Sequence, residues 1–256
     1  EGLPPLLTAV VSPEEPNALG GALLAYRRNI ITPILIGDRS RIEAAAREAG
    51  ADLSGVEIIQ MSSHTAAAAK AVAMVHEGKA EAVMKGHLHT DELLHHVVKR
   101  EGGLRTGRRL SHVFTMDVPG LDHILLITDA AINIAPDLEA KVDITQNAID
   151  LACAMGIAQP RVAILSAVET VNPKIPSTLD AAALAKMAER GQITGGIVDG
   201  PLAMDNAMSL DAAKTKGIKS FVAGRADVLV APNLESANMV VKELTYIAHA
   251  EGGGLV

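Results

Sequence analysis

The chain has 256 residues, of which 48% are hydrophobic and 2% aromatic, and its formal net charge at pH 7 is -7. This length allows one large domain or two modest ones, with enough apolar material for a core. A negative chain with few aromatic residues lacks the basic surfaces and stacking platforms that nucleic-acid binding requires, so we expect no nucleic-acid partner.

The first apolar run, Leu6–Val11, is too short to span a bilayer and has no basic segment before it. We interpret it as a buried strand and predict a soluble protein without membrane contact. No targeting signal is visible. The single cysteine, Cys153, excludes an internal disulfide and fits a reducing compartment, which favours a cytoplasmic location.

Apolar runs alternate with amphipathic stretches along nearly the whole chain. This pattern predicts an α/β protein with mostly parallel sheets covered by helices. The first part contains three strand–helix units. Their predicted strands and helices are 6–11 and 15–28, 34–37 and 39–49, and 56–59 and 65–76.

A fourth unit begins with a short strand, 82–84, which ends at Lys85-Gly86. A polar loop then leads to Thr90, which precedes the acidic pair Asp91-Glu92 and an apolar helical pattern. Thr90 fits the N-cap position, and the acidic pair suits the positive end of the helix dipole. Helix N-termini beyond the carboxyl ends of parallel strands present unpaired N–H groups to anions.

Basic and hydroxyl side chains follow this helix within one turn-rich segment. They are Arg105, Arg108, Arg109, Ser111 and His112. Positive charge clustered at 99–109 inside an otherwise negative protein suits a small anion better than a polymer. We therefore predict that this region binds an anionic, phosphate-bearing small molecule.

The pattern changes between residues 110 and 129. Two strand-like runs, 111–118 and 123–128, are joined by Pro119-Gly120-Leu121-Asp122, which is typical of a hairpin turn. We place a domain boundary near Gly120. The alternation then resumes with predicted helices at 138–155, 178–189, 211–216 and 234–248, and predicted strands at 162–165, 196–198 and 228–230. Residues 251–256 are interpreted as the start of a further strand.

Polar groups lie beside four strands of the second half. The segments are 129–133, 166–170, 199–202 and 224–227, of which the last precedes its strand. Two interpretations are open for Asp129 and Asp199, which either contact a ligand or cap helices and brace turns. Arg225 is likewise open between a ligand contact and a surface position.

Several other kinds of site are not supported. The histidines His87, His89, His95, His96 and His112 are not accompanied by an H-E-x-x-H motif, so no metal site is predicted. Cys153 lies in an apolar helical pattern, which predicts a buried, inert thiol. The chain has no P-loop, dinucleotide fingerprint or G-x-S-x-G motif, which argues against a nucleotide triphosphatase and an ordinary serine hydrolase.

A set of motifs, taken in order, resembles the phosphate acetyl/butyryl transferase family. The matching segments are 84–86, 89–93, 104–106, 111–114, 116–119, 128–136, 165–178, 196–202, 205–207 and 223–227. The resemblance covers nearly the whole chain. It is closest to phosphate butyryltransferase-like members, including those fused to an enoyl-CoA hydratase domain.

This resemblance implies two αβα domains of the isocitrate/isopropylmalate dehydrogenase-like type with a cleft between them. Residues 1–120 would form the first domain, to which 248–256 return, and residues 121–247 the second. The implied reaction is acyl-CoA plus phosphate giving acyl phosphate plus CoA. It needs no metal and no cofactor, CoA being a substrate, and family members are usually homodimers or higher homo-oligomers. We favour butyryl over acetyl as the acyl group.

Substrate-binding residues follow from the matched motifs. Lys85, Thr90, Arg105, Thr106, Ser111 and His112 are assigned to the phosphoryl group. Asp199, Asp205 and Arg225 are expected to position acyl or CoA groups, and Asp129 and Asn133 to complete the substrate-binding set. Because Cys153 is predicted to be buried, direct transfer between the two bound substrates is favoured over a covalent acyl-enzyme.

The catalytic residues themselves are expected beyond Val256. Family members continue past that point by a strand and a helix that carry a Ser-Arg pair and an Asp. Either this segment is missing from the sequence as given, or the chain is a fragment, or it is a divergent protein that has lost the chemistry. The alternative function is a non-catalytic domain that senses acyl-CoA or acyl phosphate. A metal- and NAD-dependent decarboxylating dehydrogenase is disfavoured because no trio of clustered carboxylates is found.

Overall fold

The computed structural model describes residues 2–256, and the chain divides into two compact units. Unit 1 comprises the residues up to Gly107, and unit 2 comprises Arg108–Val256. Within the described residues, no helix is both long enough and apolar enough to cross a lipid bilayer.

Unit 1 is a parallel four-stranded sheet with helices on both faces. The strand order is β3-β2-β1-β4, and every pair in it is parallel. This arrangement confirms the predicted strand–helix alternation. In chain order, the elements are β1 (Leu6–Val11), α1 (Pro16–Arg27), β2 (Ile31–Gly37), α2 (Arg39–Glu48), β3 (Glu57–Gln60), α3 (His64–His76), β4 (Ala82–Lys85) and α4 (Thr90–Val97).

The three-layer packing of unit 1 follows from the alternation of side chains along each strand. In β1, Ala9 and Val11 pack with the alanine-rich helix α3, whereas Val10 packs on the opposite face with residues of α1 and α2. Three alanines of α3 are fully buried, namely Ala67, Ala68 and Ala71. They let the helix backbone approach the sheet closely, so this run of alanines serves packing.

The start of α4 differs by one residue from the prediction. Thr90 is the first helical residue, and His89 occupies the N-cap position. The Glu92 carboxylate accepts a hydrogen bond from the His89 backbone N–H at 3.3 Å. A glutamate at the third helical position therefore satisfies the backbone N–H of the N-cap residue, and Thr90 does not occupy the N-cap position that the sequence predicts for it.

Unit 2 contains a six-stranded mixed sheet in the order β10-β5-β6-β9-β7-β8. Strands β6, β9, β7 and β8 run parallel, while β5 is antiparallel to both β6 and β10. The elements are β5 (Val113–Asp117), β6 (Leu125–Thr128), α5 (Leu138–Ala154), β7 (Arg161–Leu165), α6 (Pro176–Glu189), β8 (Ile197–Leu202), α7 (Met204–Met208), α8 (Leu210–Thr215), β9 (Val228–Val230), α9 (Leu234–Tyr246) and β10 (Glu251–Leu255).

The predicted hairpin is confirmed, since β5 and β6 pair as antiparallel neighbours. This pairing places β5 in the sheet of unit 2, and the division between units falls at Gly107 rather than near Gly120. The strand at residues 251–255 pairs with β5 and so belongs to unit 2, not to the first domain as predicted. The boundary cannot fall inside the hairpin, because the two strands that a hairpin turn joins bond to each other and therefore share one sheet. The strand at 251–255 joins the same sheet by pairing with β5.

Both faces of the unit 2 sheet are covered. Leu126 and Val228 pack on the side of α5 and α6, whereas Ile127 and Leu229 pack on the side of α7, α8 and α9. These neighbouring residues of β6 and β9 alternate between the two cores, as a pleated strand requires. The arrangement confirms an αβα fold with a mostly parallel sheet. It also leaves the carboxyl ends of β7 and β9 open to the loops that follow them.

Candidate functional site

A cavity of about 650 Å³ lies within unit 2, beyond the carboxyl ends of β7 and β9. Its lining includes Leu165 and Ser166 at the end of β7, and Pro232 and Asn233 after β9. The helices that follow these strands, α6 and α9, begin at its wall. A volume of this size accommodates a drug-sized small molecule, and the carboxyl ends of parallel strands are where open α/β sheets bind ligands.

The two helix starts at the cavity are built differently. At α9, the Asn233 side chain accepts hydrogen bonds from the backbone N–H of Ser236 at 2.9 Å and from its hydroxyl at 2.7 Å. Helix α6 starts with Pro176, and no side chain caps its first turn. Proline suits this position because its fixed φ angle is helical and it has no N–H to satisfy.

Two polar pairs lie on the cavity wall. The hydroxyl oxygens of Ser166 and Ser177 are 2.8 Å apart and share a hydrogen bond. The Lys141 ammonium donates to the Asp180 carboxylate at 2.6 Å, and this ion pair joins α5 to α6. Lys141 is only 5% exposed, which is unusual for lysine, a residue that is almost never fully buried unless it is paired.

The rest of the wall is largely apolar. Its larger apolar members are Pro136, Leu165, Pro176, Met204, Pro232 and Val240. Lys141 and Asp180 are the charged residues among those that line the cavity, and their charges cancel. The cavity therefore combines apolar walls with a few fixed polar groups and carries no net charge, which suits a neutral, amphipathic ligand better than an anion.

The loop after β7 is fastened beside this cavity. Glu169 accepts hydrogen bonds from the Lys216 ammonium at 3.1 Å and from the Asn206 side-chain amide at 3.2 Å. Lys216 also pairs with Asp205 at 3.3 Å. The hydrogen bond from Lys216 lowers the pKa of the Glu169 carboxyl, so the pair is fully charged at neutral pH. These contacts hold the loop that carries Ser166 against the start of α7, which carries Met204.

Asp129 and Asn133 have structural partners. The buried Asp129 carboxylate accepts backbone N–H groups from Ala131, Ile132 and Asn133 at 2.9–3.1 Å. It also accepts the Asn133 side-chain amide at 2.6 Å, and that amide donates to the Leu110 carbonyl at 3.0 Å. Of the two interpretations open for Asp129, the bracing of its own turn accounts for all of these contacts.

Ser111 and His112 lie just before β5 and are brought close to this turn. Ser111 is buried, and its hydroxyl accepts the Asn147 side-chain amide at 2.8 Å. The His112 carbonyl accepts the Thr128 hydroxyl at 2.8 Å. Burial lowers the pKa of the His112 imidazole and the negative charge of Asp129 opposes that effect, so the ring is neutral at physiological pH.

The remaining predicted residues of unit 2 do not gather at one place. Asp199 lies inside β8, which extends through Gly200-Pro201 to Leu202, whereas the sequence had placed Asp199 after the strand end. Its carboxylate accepts the Gly200 backbone N–H at 2.8 Å. Asp205 lies at the start of α7, next to Met204 on the cavity wall.

Arg225 lies near the end of β9 that is opposite to the cavity. It is exposed and precedes the amino end of β9, while the cavity lies beyond the carboxyl end. The preceding Gly224 has a φ of +76°, and a side chain there would meet the Leu210 backbone at 2.6 Å. The predicted tight backbone beside Arg225 is therefore confirmed, and it explains why glycine is needed.

Four predicted residues belong to unit 1. Lys85 ends β4, and its ammonium donates to the carbonyl oxygens of Leu88 at 2.8 Å and Gly86 at 3.3 Å, so it supports its own turn. Thr90 is exposed at the first position of α4. Arg105 and Thr106 are exposed in the irregular segment after α4. Among residues 2–256, Arg105 has no hydrogen-bond or ion-pair partner within the protein.

The prediction for Cys153 is wrong, because the residue is exposed. Its thiol lies 3.7 Å from the Gly195 carbonyl oxygen and is not part of the cavity lining. The buried side of α5 is formed by Ile144, Ala148, Ala152 and their neighbours, and Cys153 lies one position beyond it. Burial therefore no longer argues against a covalent acyl-enzyme, but Cys153 is not among the residues that line the cavity.

Sequence reasoning missed most of the polar cavity wall, including Lys141, Ser177, Asp180 and Asn233. A signal for Lys141 was present. The core-facing positions of α5 recur at 141, 144–145 and 148, so a lysine occupies a position at which the helical period requires a buried residue. Such a lysine needs a negatively charged partner, but the sequence does not indicate which carboxylate pairs with it.

Comparison with known proteins relates the whole chain to one group. A family model described as "Phosphate acetyl/butaryl transferase" matches residues 63–256. The chain is 58% identical to a phosphate acetyltransferase of Rhizobium meliloti over 252 residues, which are 98% of this chain and 80% of that protein. It is 44% identical to a phosphate butyryltransferase of Clostridium acetobutylicum over 250 residues, covering 98% and 83% of the two chains.

Solved structures agree with these sequence relatives. A branched-chain phosphotransacylase from Enterococcus faecalis V583 superposes with a TM-score of 0.83 at 30% identity, covering 97% of this chain and 87% of that one. A 4-hydroxythreonine-4-phosphate dehydrogenase from Burkholderia phymatum superposes with a TM-score of 0.50 at 16% identity, covering 95% and 84%. The second likeness concerns the fold alone and confirms its dehydrogenase-like type.

Proposed function

This chain belongs to the phosphate acetyl/butyryl transferase family and is a phosphate acyltransferase, and we propose that it converts a short-chain acyl-CoA and inorganic phosphate reversibly into acyl phosphate and CoA. The observation that carries this proposal is the family match over residues 63–256, together with relatives of these names that align with nearly the whole chain. The relatives described above lend no support to a non-catalytic sensing domain.

The reaction places defined demands on the protein. A phosphate oxygen attacks the thioester carbonyl carbon, the carbon–sulfur bond breaks, and the proton of hydrogen phosphate passes to the departing thiolate. Catalysis requires that both substrates be held in line and that donors stabilise the carbonyl oxygen as it becomes negative. We propose direct transfer between the two bound substrates, which is supported by the position of the Cys153 thiol outside the cavity lining.

The unit 2 cavity is proposed to hold the uncharged part of the acyl-CoA, that is, the acyl thioester and the adjoining pantetheine arm. Its size, its apolar walls and its zero net charge support this assignment. Phosphate is proposed to bind at the basic and hydroxyl groups assigned to it from the sequence. Of these, Arg105 and Thr90 are exposed and have the fewest competing contacts within the protein.

The acyl group is proposed to be acetyl or butyryl. The sequence motifs favour butyryl, but the identity is higher to the acetyltransferase relative, at 58%, than to the butyryltransferase relative, at 44%. This difference supports acetyl as the preferred group. We also propose a homodimer or higher homo-oligomer, supported by the exposed apolar residues Met239 and Tyr246 on one side of α9, and a cytoplasmic location, supported by the single unpaired cysteine.

The function is tested by measuring the release of the CoA thiol from acyl-CoA by the full-length protein. We expect release that depends on added phosphate, that proceeds in the presence of EDTA, and that is faster with acetyl-CoA than with butyryl-CoA. The matched control omits phosphate or replaces it with sulfate, which has similar geometry but gives no stable acyl product. If no acyl group from acetyl to butyryl gives phosphate-dependent release, the protein is not an enzyme of this kind.

Arg105→Ala is expected to raise the KM for phosphate about tenfold or more, because a charge-assisted hydrogen bond to the phosphoryl group is lost. The KM for acetyl-CoA should change less than twofold. Arg105 has no partner within the described part of the protein, so its removal leaves the fold intact. Steady-state kinetics with each substrate varied in turn provide the measurement.

The matched control for this variant is Arg47→Ala, which removes an exposed arginine from the last turn of α2. Both KM values should stay at the wild-type level in that protein. An equal rise in both KM values in Arg105→Ala would assign Arg105 to structure or to general binding rather than to phosphate.

A further inference from the structure

The Lys141–Asp180 ion pair on the cavity wall has donor and acceptor groups that its own hydrogen bond does not use. The Lys141 ammonium has three N–H donors, and the Asp180 side chain is the acceptor it uses among residues 2–256. The Asp180 carboxylate accepts through Oδ2, while its Oδ1 has no donor within that described part of the chain. Both residues line the cavity, and the Asp180 side chain is 29% exposed, so the pair forms part of the wall that a ligand would meet.

Stability alone gives a weak reason for this pair. Removing an ammonium and a carboxylate from water costs about as much as their attraction returns, and well-packed apolar replacements are often as stable or more so. The surrounding wall offers such packing, since Leu165 and Pro176 also line the cavity. A buried lysine paired with a half-buried aspartate on a cavity wall therefore suggests a role in recognising the ligand that enters the cavity.

The unused groups match one kind of chemical group. Side by side, they offer an acceptor on Asp180 and donors on Lys141, and the pair carries no net charge. An anion is repelled by the Asp180 carboxylate, and a cation by the Lys141 ammonium. A secondary amide, whose N–H donates and whose carbonyl accepts, satisfies both groups at once and adds no charge.

We propose that the Lys141–Asp180 pair recognises the amide nearest the sulfur in the pantetheine arm of CoA, with Asp180 Oδ1 accepting the amide N–H and the Lys141 ammonium donating to its carbonyl oxygen. This inference rests on the proposed function, since acyl-CoA is the substrate that brings such an amide. The pantetheine arm carries two amides close to its sulfur, separated by short apolar segments. That alternation of polar and apolar groups corresponds to a cavity with one polar pair and walls such as Leu165 and Val240.

The first test changes the substrate and leaves the protein intact. Wild-type enzyme is assayed with S-acetyl-N-acetylcysteamine, a truncated thioester that keeps one amide, and with S-acetyl-O-acetylmercaptoethanol, in which an ester oxygen replaces the amide nitrogen. The ester cannot donate to Asp180 and leaves a charged acceptor unpaired. Its kcat/KM is expected to be at least tenfold lower. Equal kcat/KM values for the two thioesters would overturn the proposal.

The second test replaces both partners in the double variant Lys141→Met/Asp180→Leu. We expect a urea unfolding midpoint close to that of wild type, because no buried charge is left alone. The KM for acetyl-CoA should rise at least tenfold with kcat and the KM for phosphate nearly unchanged, as expected when binding shared by the ground and transition states is lost. The preference for the amide over the ester thioester should disappear.

Arg161→Met serves as a control for lost stability, because it breaks an ion pair at the amino end of β7, away from the cavity. If the double variant keeps the wild-type KM for acetyl-CoA, or changes both KM values no differently from Arg161→Met, the pair is structural and the proposal fails. If wild-type enzyme shows no phosphate-dependent turnover of acetyl-CoA, the proposed function fails instead. The two failures are therefore distinguishable.

Discussion

Asp227→Ala is expected to lower the free energy of unfolding of unit 2 by about 3 kcal/mol, among the largest effects of any single substitution outside the hydrophobic core. The Asp227 carboxylate is buried and accepts three hydrogen bonds from Arg161, two from the guanidinium at 2.8 and 2.9 Å and one from the backbone N–H at 2.7 Å. Removing it leaves the guanidinium without its hydrogen-bonded counter-charge. Because the Arg161 side chain is 35% exposed and water screens part of that charge, the effect lies at the lower end of the range for buried pairs.

The measurement is urea unfolding followed by circular dichroism, with hydrogen exchange of peptides from β7 and β9 reporting on unit 2. Asp211→Ala provides the control, because Asp211 also pairs with a basic residue but its side chain is 94% exposed. That variant should change the unfolding free energy by less than about 1 kcal/mol. Similar losses in both variants would mean that burial does not govern the strength of these pairs.

The same ion pair gives an expected pH dependence. Burial raises the pKa of Asp227, but the hydrogen bonds and charge of Arg161 outweigh it and hold the pKa below its ordinary value. The folded state therefore binds the proton less tightly than the unfolded chain does. The stability contribution is complete above the unfolded-state pKa of about 4 and is lost as the pH falls through the folded-state value. The difference between wild type and Asp227→Ala should accordingly shrink in acid, and a difference that persists undiminished at pH 2 would contradict this account.

Gly86→Ala is expected to destabilise unit 1 by about 3 kcal/mol or more, since the added carbon overlaps backbone atoms that cannot rotate away. A Cβ at this position would lie 2.4 Å from the Val11 carbonyl oxygen and 2.6 Å from that of Ser12. The same two carbonyl groups accept hydrogen bonds from the backbone N–H groups of Gly86 and His87 at 2.8 and 2.7 Å. The substitution therefore breaks the connection between the turn after β4 and the end of β1.

Gly21→Ala is the matched control, and it should raise the free energy of unfolding where Gly86→Ala lowers it. Gly21 is exposed inside α1, and a Cβ there would meet nothing within 4 Å. Alanine at an unhindered helix position is expected to stabilise by about 0.5–1 kcal/mol relative to glycine. Urea midpoints of both variants, with hydrogen exchange in β1 and β4 as the local probe, provide the measurement. A Gly86→Ala protein as stable as wild type would show that the turn can move away from β1 at little cost.

The secondary structure could be predicted where a regular apolar period is bounded by turn residues. The strand Val228–Val230 has the predicted limits, and the hairpin at Pro119-Gly120 is present. Errors occur where that signal is weak. Helix α7 spans only Met204–Met208, too few residues to show a helical period, and it was missed. Gly200-Pro201 suggested a strand end because these residues usually interrupt strands, yet β8, at the edge of its sheet, includes them.

The candidate site was less predictable than the fold. The segment that begins at Ser166 was identified because it directly follows a strand. The Lys141–Asp180 pair, by contrast, joins two helices across 39 positions of the sequence, and no local pattern connects them. Asp129 shows a related limit, since a polar residue after a strand leaves a ligand contact and the bracing of a turn both open, and the contacts seen within the protein are those of the turn. Local sequence identifies which loops lie at the ends of strands, whereas long-range packing decides which side chains are available there.

The position of β9 in its sheet has a consequence for how the protein forms during synthesis. This strand lies between β6 and β7, although it follows both of them in the chain by more than sixty residues. All four strands of the unit 1 sheet have been synthesised once Lys85 is added to the chain. That sheet can therefore assemble early and from local contacts. The unit 2 sheet lacks its central strand β9 until Val230 has been synthesised. Until then, β6 and β7 each expose an unpaired edge, and we expect the nascent chain to depend most on chaperones during this interval.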